Sequence, residues 1–496
     1  MTISSPTAAS LATAALLATL VLVGEPAVAQ QPPASQPDTS GTAVQCLPAD
    51  DCPTISLDMF LKRVLRTSPQ ARSFRLTDDR AAAQLLDARG GFSPRFVSGY
   101  EYKTQSNKAK LNVLRSGLRQ PLDLPLSPTL KVDYRRGRGS SIDPSVKTSA
   151  VGETRVGVSV SPLQGLFAGK RRAALKKARL APRRARAQQA KKRNKLLRNA
   201  TYAFWEWVGA RRKLKVVRDQ LQLARRRQAL VTRQARAGEA PAIDSTEAAR
   251  ITAGRRGAVA DARSAAKQKR IALTTFLGER GGPEGSLRYA PSPMPSDLAS
   301  GTLRTETAVD TALARRPALQ VLTAKQRQAR IEQNLARGRR WPDLKLEAQA
   351  ISYEEGPLDL SDIKVGFKID QPLLFRSERS GVEKAQIKTR RLGLKRDRTE
   401  QKVRADVKKA VVAVRQAQRR LQSAQRSVKL ARRLQRAEQR RFEEGQGTLF
   451  RLNKREQSLA KAQKRRVGAR VEVLRARATY RWATGMISEV YGADAP

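Results

Sequence analysis

Residues 403–431 form the stretch VRADVKKAVVAVRQAQRRLQSAQRSVKLA. Its small and apolar residues recur at alternating steps of four and three: Val403, Val407, Ala410, Val414, Ala417, Leu421, Ala424, Val428 and Ala431. Such spacing keeps one apolar seam on the same side of a helix. The stretch therefore predicts a coiled-coil helix that packs against partner helices.

A second copy of this seam lies 207 residues upstream. Its nine positions are again small or apolar: Leu196, Ala200, Ala203, Trp207, Ala210, Leu214, Val217, Leu221 and Ala224. The same offset carries Gly238 onto Gly445 and Gly278 onto Gly485, and glycine commonly follows the end of a helix. The chain is therefore predicted to be a tandem duplication.

The composition argues against an enzyme. The 496 residues include 98 lysines and arginines against 44 acidic residues, which gives a formal net charge of +54, and there is no histidine. The two cysteines, Cys46 and Cys52, leave too few ligands for the usual zinc sites. We therefore predict no catalytic residues, no metal and no cofactor. The positive charge must be balanced by polyanions or counterions.

Residues 1–29 are predicted to be a secretory signal peptide. An apolar run over residues 11–23 precedes Ala27, Val28 and Ala29, which form an A-x-A cleavage site before Gln30. Because residues 1–10 lack the usual basic side chains, a membrane anchor is the competing interpretation. The run is, however, shorter than the ~20 residues that a spanning helix needs.

Residues 30–54 are predicted to be a disordered leader, because they are rich in Pro, Gln, Ser and Thr. Within the leader, we favour a disulfide between Cys46 and Cys52 in an oxidising compartment. A metal site is the weaker alternative because no further cysteine or histidine could complete it. Lipid attachment at Cys46 is also weaker, because this residue lies well beyond the apolar run.

Two repeats follow the leader, and each is predicted to begin with a helix that a proline interrupts. These prolines are Pro69 and Pro317, and Pro94 and Pro342 end the helices at the same offset of 248. The predicted segments are a first repeat at 55–278, a linker at 279–302, a second repeat at 303–485 and a C-terminal tail at 486–496.

After these helices the apolar period changes to two, which is typical of strands. The alternating positions are Phe96, Ser98, Tyr100 and Tyr102; Val156, Val158 and Val160; Leu344, Leu346, Ala348 and Ala350; and Ile363, Val365, Phe367 and Ile369. Polar residues such as Lys345, Glu347 and Lys368 lie between them, as in a membrane barrel with an apolar outer face. A soluble sandwich alternates similarly, and the signal peptide favours the barrel. Residues 103–153, rich in Gly, Pro, Ser and Lys, are predicted to be a long surface loop.

A long helical hairpin is predicted to follow the second strand of each repeat. Its helices cover residues 170–237 and 243–277 in the first repeat, and 379–444 and 449–484 in the second. A continuous helix over residues 170–237 would be roughly 100 Å long, far more than a bilayer is thick. Pro182 should kink this helix near its start.

The order of these elements resembles that of the TolC-like outer-membrane efflux factors, and the resemblance covers nearly the whole mature chain. Residues 156–163, VGVSVSPL, and 365–373, VGFKIDQPL, are similar to that family's strand running into the helices. The turns at Gly238 and Gly445 are similar to the hairpin turns at its periplasmic tips. Each motif is weak alone, and their duplicated order carries the resemblance.

The resemblance implies a homotrimer that is mainly α-helical with a β-barrel part. Four strands per chain would join into one twelve-stranded barrel in outer-membrane lipid, above an α-helical tunnel through the periplasm. Partner chains are also expected on physical grounds, because four strands cannot close a barrel and unpaired strand edges are not tolerated in lipid. Such factors are passive exit ducts of efflux or type I secretion systems, docked by a periplasmic adaptor protein and an inner-membrane pump.

The resemblance also assigns functions to the tip residues. Adaptor docking falls on Gly238, Gly445, Gly447 and Leu449. Better-known members carry aspartates six and nine residues after the second-tip glycine, where they ring the tunnel's narrowest point. Here these positions are Arg451 and Lys454, whereas the first tip keeps an acid, Asp244. We therefore predict a basic constriction, with side chains facing solvent outside the tunnel as the alternative. The family's tyrosine and arginine that latch the tip fall on Phe442 and Gly447, so the latch is not expected.

A second class of protein is compatible with the charge: a basic coiled coil that binds polyanions, either nucleic acid or cell-envelope phosphates, as a structural spacer. Runs such as Arg225-Arg226-Arg227 would then be the binding surface, whereas we interpret them as solvated helix faces. The signal peptide and strands argue against specific nucleic-acid binding. Trp205 and Trp207 are interpreted as helix-packing residues rather than a platform for bases. Tyr100 and Tyr102 fit interface aromatics or ordinary strand formers equally well.

Overall fold

The computed structural model describes residues 54–105, 108–138, 152–163, 169–278, 290–295, 298, 303–352 and 362–491. The predicted signal peptide and the Cys46–Cys52 pair lie outside these residues, and both stay predictions. The helices are α1 (Leu57–Thr67), α2 (Pro69–Gly90), α3 (Lys170–Arg179), α4 (Ala181–Arg236), α5 (Ala242–Thr274), α6 (Thr305–Arg315), α7 (Pro317–Gly338), α8 (Arg376–Glu443), α9 (Leu449–Thr484) and α10 (Ile487–Tyr491). The strands are β1 (Thr54–Ile55), β2 (Arg95–Gln105), β3 (Lys108–Pro121), β4 (Thr129–Arg138), β5 (Glu153–Val160), β6 (Ala290–Pro291), β7 (Asp343–Ser352) and β8 (Asp362–Asp370).

The helix bounds confirm the predicted duplication. Helices α1 and α2 recur as α6 and α7 with both ends displaced by 248 residues, and the turn between α4 and α5 recurs between α8 and α9 at an offset of 207. The four glycines that the second offset pairs all have positive φ: Gly238, Gly278, Gly445 and Gly485. Equal spacing through helices and turns means that the two repeats fold alike wherever helices determine the path.

The long helices form an open layer. On the side nearer the strands the order of packed neighbours is α2, α4, α7, α8, and towards the helical tips it is α5, α4, α9, α8. Helix α8 is continuous over 68 residues, whereas its counterpart is broken between α3 and α4 at Leu180, two residues before Pro182. The predicted effect of Pro182 is therefore confirmed.

An aromatic cluster lies midway along α4, within a core that residues of both repeats share. Phe204 stacks on Phe60 of α1 with ring centroids 5.5 Å apart, and it meets the edges of Trp205 and Trp207. All four side chains are buried. The interpretation of the two tryptophans as packing residues is therefore confirmed.

Two segments predicted to be irregular are part of this folded body. Strand β6, in the predicted linker, pairs in parallel with β1, and Met294 and Leu298 are buried in the core. Ile487, in the predicted tail, begins α10 and is fully buried. Short apolar segments without a clear period carry little local signal, so only tertiary packing reveals them.

The main sheet has the strand order β2-β3-β4-β5-β7-β8 and is antiparallel throughout. The predicted surface loop over residues 103–153 is wrong, because β3 and β4 occupy much of it. The sheet therefore has six described strands rather than the four expected. Prolines concentrated in residues 121–128 mark the turn of a hairpin, which the composition of the whole segment concealed.

Candidate functional site

One face of the six-stranded sheet is apolar from edge to edge. Cross-strand partners share a face, and the pairs Phe96–Leu118, Leu118–Val132 and Val132–Val156 continue the apolar surface across the first four strands. The predicted apolar positions of β5, β7 and β8 lie on the same face by the pairs Val156–Ala350, Val158–Ala348, Ala348–Val365 and Leu346–Phe367. Many of these side chains are exposed in the single chain, Val365 by 76%. An exposed apolar sheet face of this extent is suited to lipid.

The opposite face is lined by charged residues. Lys131 of β4 reaches across Gly157 of β5 to Glu347 of β7, with Nζ 2.8 Å from Oε1. At Gly157 an added Cβ would lie 2.4 Å from the Ala348 carbonyl oxygen and 2.6 Å from the Gln349 side chain, so the close approach of β5 to β7 requires glycine at this position. Other residues of this face are Arg115, Arg119, Asp133, Arg135, Arg155, Lys364 and Lys368. The two faces match the apolar and polar surfaces predicted from the alternation.

The far end of the helical layer consists of two similar turns. In each turn a backbone amide donates to the carbonyl oxygen five residues back, Glu239 N to Gln234 O (2.9 Å) and Gln446 N to Arg441 O (2.8 Å). This hydrogen bond closes the helix around a glycine of positive φ, 77° at Gly238 and 76° at Gly445. Both glycines are therefore required by the backbone, as the sequence predicted.

The second turn is built more tightly than the first. A Cβ on Gly447 would lie 2.9 Å from the backbone nitrogen of Phe442. The Thr448 hydroxyl accepts a 3.3 Å hydrogen bond from Arg451 N and caps α9. Leu449 is buried against Val231 and Ala248 of the first hairpin. The predicted docking residue Leu449 thus packs the two tips together rather than presenting itself to solvent.

A buried ion pair behind the tips was missed by sequence reasoning. Arg227 of α4 donates a 2.6 Å hydrogen bond to Glu456 of α9, and their side chains are only 12% and 5% exposed. Arg255 of α5 lies beside the pair, donates to Asn453 and has a lowered pKa, caused mainly by burial, which the nearby Glu456 opposes. The interpretation of residues 225–227 as a wholly solvated face is therefore wrong for Arg227. No local pattern distinguishes it from Arg225 and Arg226, which are exposed.

The predicted constriction residues lie close to the second tip. Arg451 and Lys454 are exposed and three residues apart on α9, so they share one helix face. Asp244 is half-buried at the start of α5. Within the described part of the chain, no ion pair joins Asp244 to either cation.

A basic groove of about 840 Å³ lies between the helices on the side nearer the strands. In this groove Lys177 and Lys388 both form ion pairs with Glu332, and Lys177 Nζ lies 2.6 Å from Glu332 Oε1. The pKa of Lys325 is lowered by burial and then by the positive charges of Arg184, Lys395 and Lys191. The acidic residue is thus shared between two lysines, and positive charge predominates in the groove.

These features match one known family across most of the chain. The family model described as outer membrane efflux protein matches residues 60–279 and 308–486. The chain belongs to the outer membrane efflux protein family. A comparison with curated protein sequences found no significant match.

Three solved structures share the fold. The outer-membrane channel OprN is 17% identical, with 86% of this chain and 89% of that chain covered and a TM-score of 0.64. The Campylobacter jejuni CmeC outer membrane channel is 14% identical, with 87% and 85% covered and a TM-score of 0.64. VceC from Vibrio cholerae is 16% identical, with 86% and 96% covered and a TM-score of 0.63.

As an outer membrane efflux protein, the chain is located in the outer membrane, with its helical part in the periplasm. This family consists of passive channels. None of the described helices combines the length and apolarity that crossing a membrane requires.

Proposed function

We propose that this efflux protein is a passive exit duct assembled from three copies. A periplasmic adaptor and an energised inner-membrane pump would deliver cargo to it, as in a tripartite efflux or type I secretion system. The observation that carries the proposal is the open layer: the sheet ends at β2 and β8, and the helices end at α2 and α5 on one side and α8 on the other. An apolar sheet face with two free edges cannot remain single in lipid.

The free edge helix carries apolar residues that a second copy would cover. Leu430 and Leu434 of α8 are exposed, and so are Ile387, Leu394 and Val412 of the same helix. The duplication suggests what covers them. Since α8 repeats α4 and α5 repeats α9, the contact of α4 with α9 inside the chain has a counterpart between α8 and α5 of the next copy.

The residues at this proposed contact between α8 and α5 of the next copy are chemically compatible. The buried pair Arg227–Glu456 corresponds, at an offset of 207, to Leu434 on α8 and Ala249 on α5. Leu434 is exposed and so is Ala249. At the equivalent contact between copies, two apolar side chains would take the place of the ion pair. This contact would therefore be buried without leaving a charge unpaired.

Cross-linking tests this arrangement. In a Cys46→Ser, Cys52→Ser background, Leu434→Cys with Ala249→Cys should give cross-linked dimers and trimers with a bifunctional thiol reagent. The matched control, Leu434→Cys with Ala265→Cys, places the second thiol about 24 Å further along α5 and should give none. A soluble monomer or dimer that binds polyanions, or cross-linked ladders extending beyond three copies, would contradict the duct.

The tips are proposed to dock the adaptor through the turns at Gly238, Gly445 and Gly447, with Leu449 holding the two hairpins together. Arg451 and Lys454 are proposed to line the constriction together with Asp244 of the first tip. Fixed rings of charge set the sign of the ions that pass. Three copies would bring six cations to this point, so the pore should prefer anions and anionic cargo.

The reversal potential of the purified protein in a planar bilayer under a salt gradient tests the charge ring. The native pore should be anion-selective, and Arg451→Asp with Lys454→Asp should invert the sign. Arg225→Asp with Arg226→Asp changes the same number of charges elsewhere and serves as the control. Cation preference in the native pore, or an unchanged sign in the tip variant, would place these side chains outside the constriction.

A further inference from the structure

The extra hairpin β3–β4 is an integral part of the sheet. Strand β3 pairs with β2 along its length, and β4 pairs with β5, so the hairpin separates two strands that would otherwise be neighbours. It continues both surfaces: Leu118 and Val132 extend the apolar face, whereas Arg119 and Lys131 extend the charged one. The Lys131–Glu347 ion pair then joins β4 to β7 across β5.

The turn of this hairpin is attached to the helical part. Asp123 lies 3.7 Å from Arg172 and 3.3 Å from Arg179 of α3. Gln120 donates a 2.7 Å hydrogen bond to the Phe92 carbonyl, and Ser161 N donates a 2.9 Å bond to Leu126 O. A surface loop would have no reason to contact the strand ends and the helices together. The hairpin therefore runs the full height of the sheet and turns at its helical end.

We propose that the assembled barrel has eighteen strands, six from each of three copies, and that its lumen is as wide as the helical tunnel below it. This inference rests on the proposed trimeric duct. Inserting a hairpin adds two antiparallel strands and returns the chain to the same end, so β5 and the following helix keep their direction. Both free edges, β2 and β8, remain available to the neighbouring copies.

The expected diameters of the barrel and of the helical tunnel agree with eighteen strands. At a strand spacing of about 4.8 Å and a tilt of about 40°, eighteen strands give a barrel about 36 Å across, whereas twelve give about 24 Å. Each level of the helical layer has four described helices per chain. Twelve helices packed about 9 Å apart form a ring about 34 Å across. Eighteen strands therefore continue the tunnel without narrowing it, and twelve would form a collar.

The consequence concerns the size of cargo. The cross-section enclosed by the backbone of the wider barrel is about 2.3 times that of a twelve-stranded one, because area follows the square of the diameter. Barrels of 16–18 strands are in the range that leaves an open aqueous channel. The sheet would then set no size limit, and selection would fall to the tips. The duct is accordingly suited to bulky polar cargo, including polypeptide, as well as small molecules.

Spin-label distances measure the barrel width directly. Val365, exposed on the apolar face of β8, is changed to Cys in a Cys46→Ser, Cys52→Ser background and labelled, and the protein is reconstituted in lipid. In a trimer the backbone positions should be about 31 Å apart for eighteen strands and about 21 Å for twelve. Deleting residues 108–138 joins β2 to β5 and should shorten the measured distance by about 10 Å.

The outcomes separate the inference from the function on which it rests. A trimer whose native distance is the shorter one overturns the wide barrel and leaves the duct intact, whereas the absence of any defined intermolecular distance overturns the duct. If the deletion variant fails to assemble, the native distance still decides.

A second measurement tests the hairpin: Ser98 and Ser116, whose hydroxyls are 2.9 Å apart, should form a disulfide when both become Cys. The control Ser98→Cys with Tyr134→Cys spans two strand spacings and should not. Failure of the first pair to cross-link would remove β3 from the sheet.

Discussion

The two repeats agree closely in their helices and differ in their strands. Helices α2 and α7 have the same length, and both tips connect their helices with turns of equal length around a positive-φ glycine. The first repeat nevertheless contributes four strands to the main sheet and the second contributes two. A coiled-coil seam contacts partners along its whole length, so an inserted residue would disturb every later contact. A hairpin inserted between antiparallel strands disturbs only one strand pairing.

The tips show the same contrast on a smaller scale. Their backbones match, whereas their side chains differ: Thr448 caps α9, but Pro241 provides no side-chain cap for α5. Arg227 of the first hairpin pairs with Glu456 of the second, and the repeat-related positions carry Leu434 and Ala249 instead. The duplicated backbone is thus retained, while the contact within the chain and the proposed contact between chains have acquired different chemistry.

The largest effect on stability should come from breaking the charged contact. Glu456→Ala leaves Arg227 buried without its partner and should lower the free energy of unfolding by about 3–5 kcal/mol. Denaturant unfolding followed by the helical circular dichroism signal measures this. The control Lys454→Ala changes an exposed residue and should stay within about 0.5 kcal/mol. Replacing both partners, with Arg227→Met and Glu456→Leu, should recover most of the loss; a double variant as unstable as the single one would contradict a pair-specific cost.

A smaller effect should follow from the shared turn geometry. Gly445→Ala and Gly238→Ala force a side chain into positive φ and should each cost about 1–2 kcal/mol. The two values should be similar, because neither glycine has an atom near the added Cβ. Gly254, within α5 and equally open, is the control: Gly254→Ala should stabilise the protein by about 0.5–1 kcal/mol. A large difference between the two tip variants would show that the turns are not equivalent.

The smallest effect should be the pH dependence of the basic groove. Burial raises the pKa of Glu332, but the hydrogen bonds from Lys177 and Lys388 outweigh burial, so the pKa is lowered overall. Its stabilisation is therefore present above the ordinary value of 4.5 and is lost as the pH falls through the lower folded-state pKa. Glu332→Gln should cost less than about 1 kcal/mol at neutral pH, because the groups are partly exposed. The difference from the native protein should vanish in acid, and a difference that persists there would indicate a packing defect.

Much of the candidate site could be predicted because its signals are local. The alternation of Val365, Phe367 and Ile369 identifies an apolar face, and each side chain's face depends only on its own strand. Gly445 indicates a turn because no other residue adopts a positive φ as readily as glycine. The pairing of Lys131 with Glu347, 216 residues away, has no such signal, and neither does that of Arg227 with Glu456, 229 residues away.

The helices, their duplication and the two-faced character of the strands follow from local sequence alone, because periodicity is set by neighbouring residues along the chain. Which elements lie side by side depends instead on how the helices and strands pack. Residues 108–138 became two strands because β2 and β5 offered them hydrogen-bonding edges and a shared apolar face. Arg227 became buried because α9 brought a carboxylate to it. Such choices depend on partners that are distant in the chain, and the energy that settles them exists only once the helices and strands have come together.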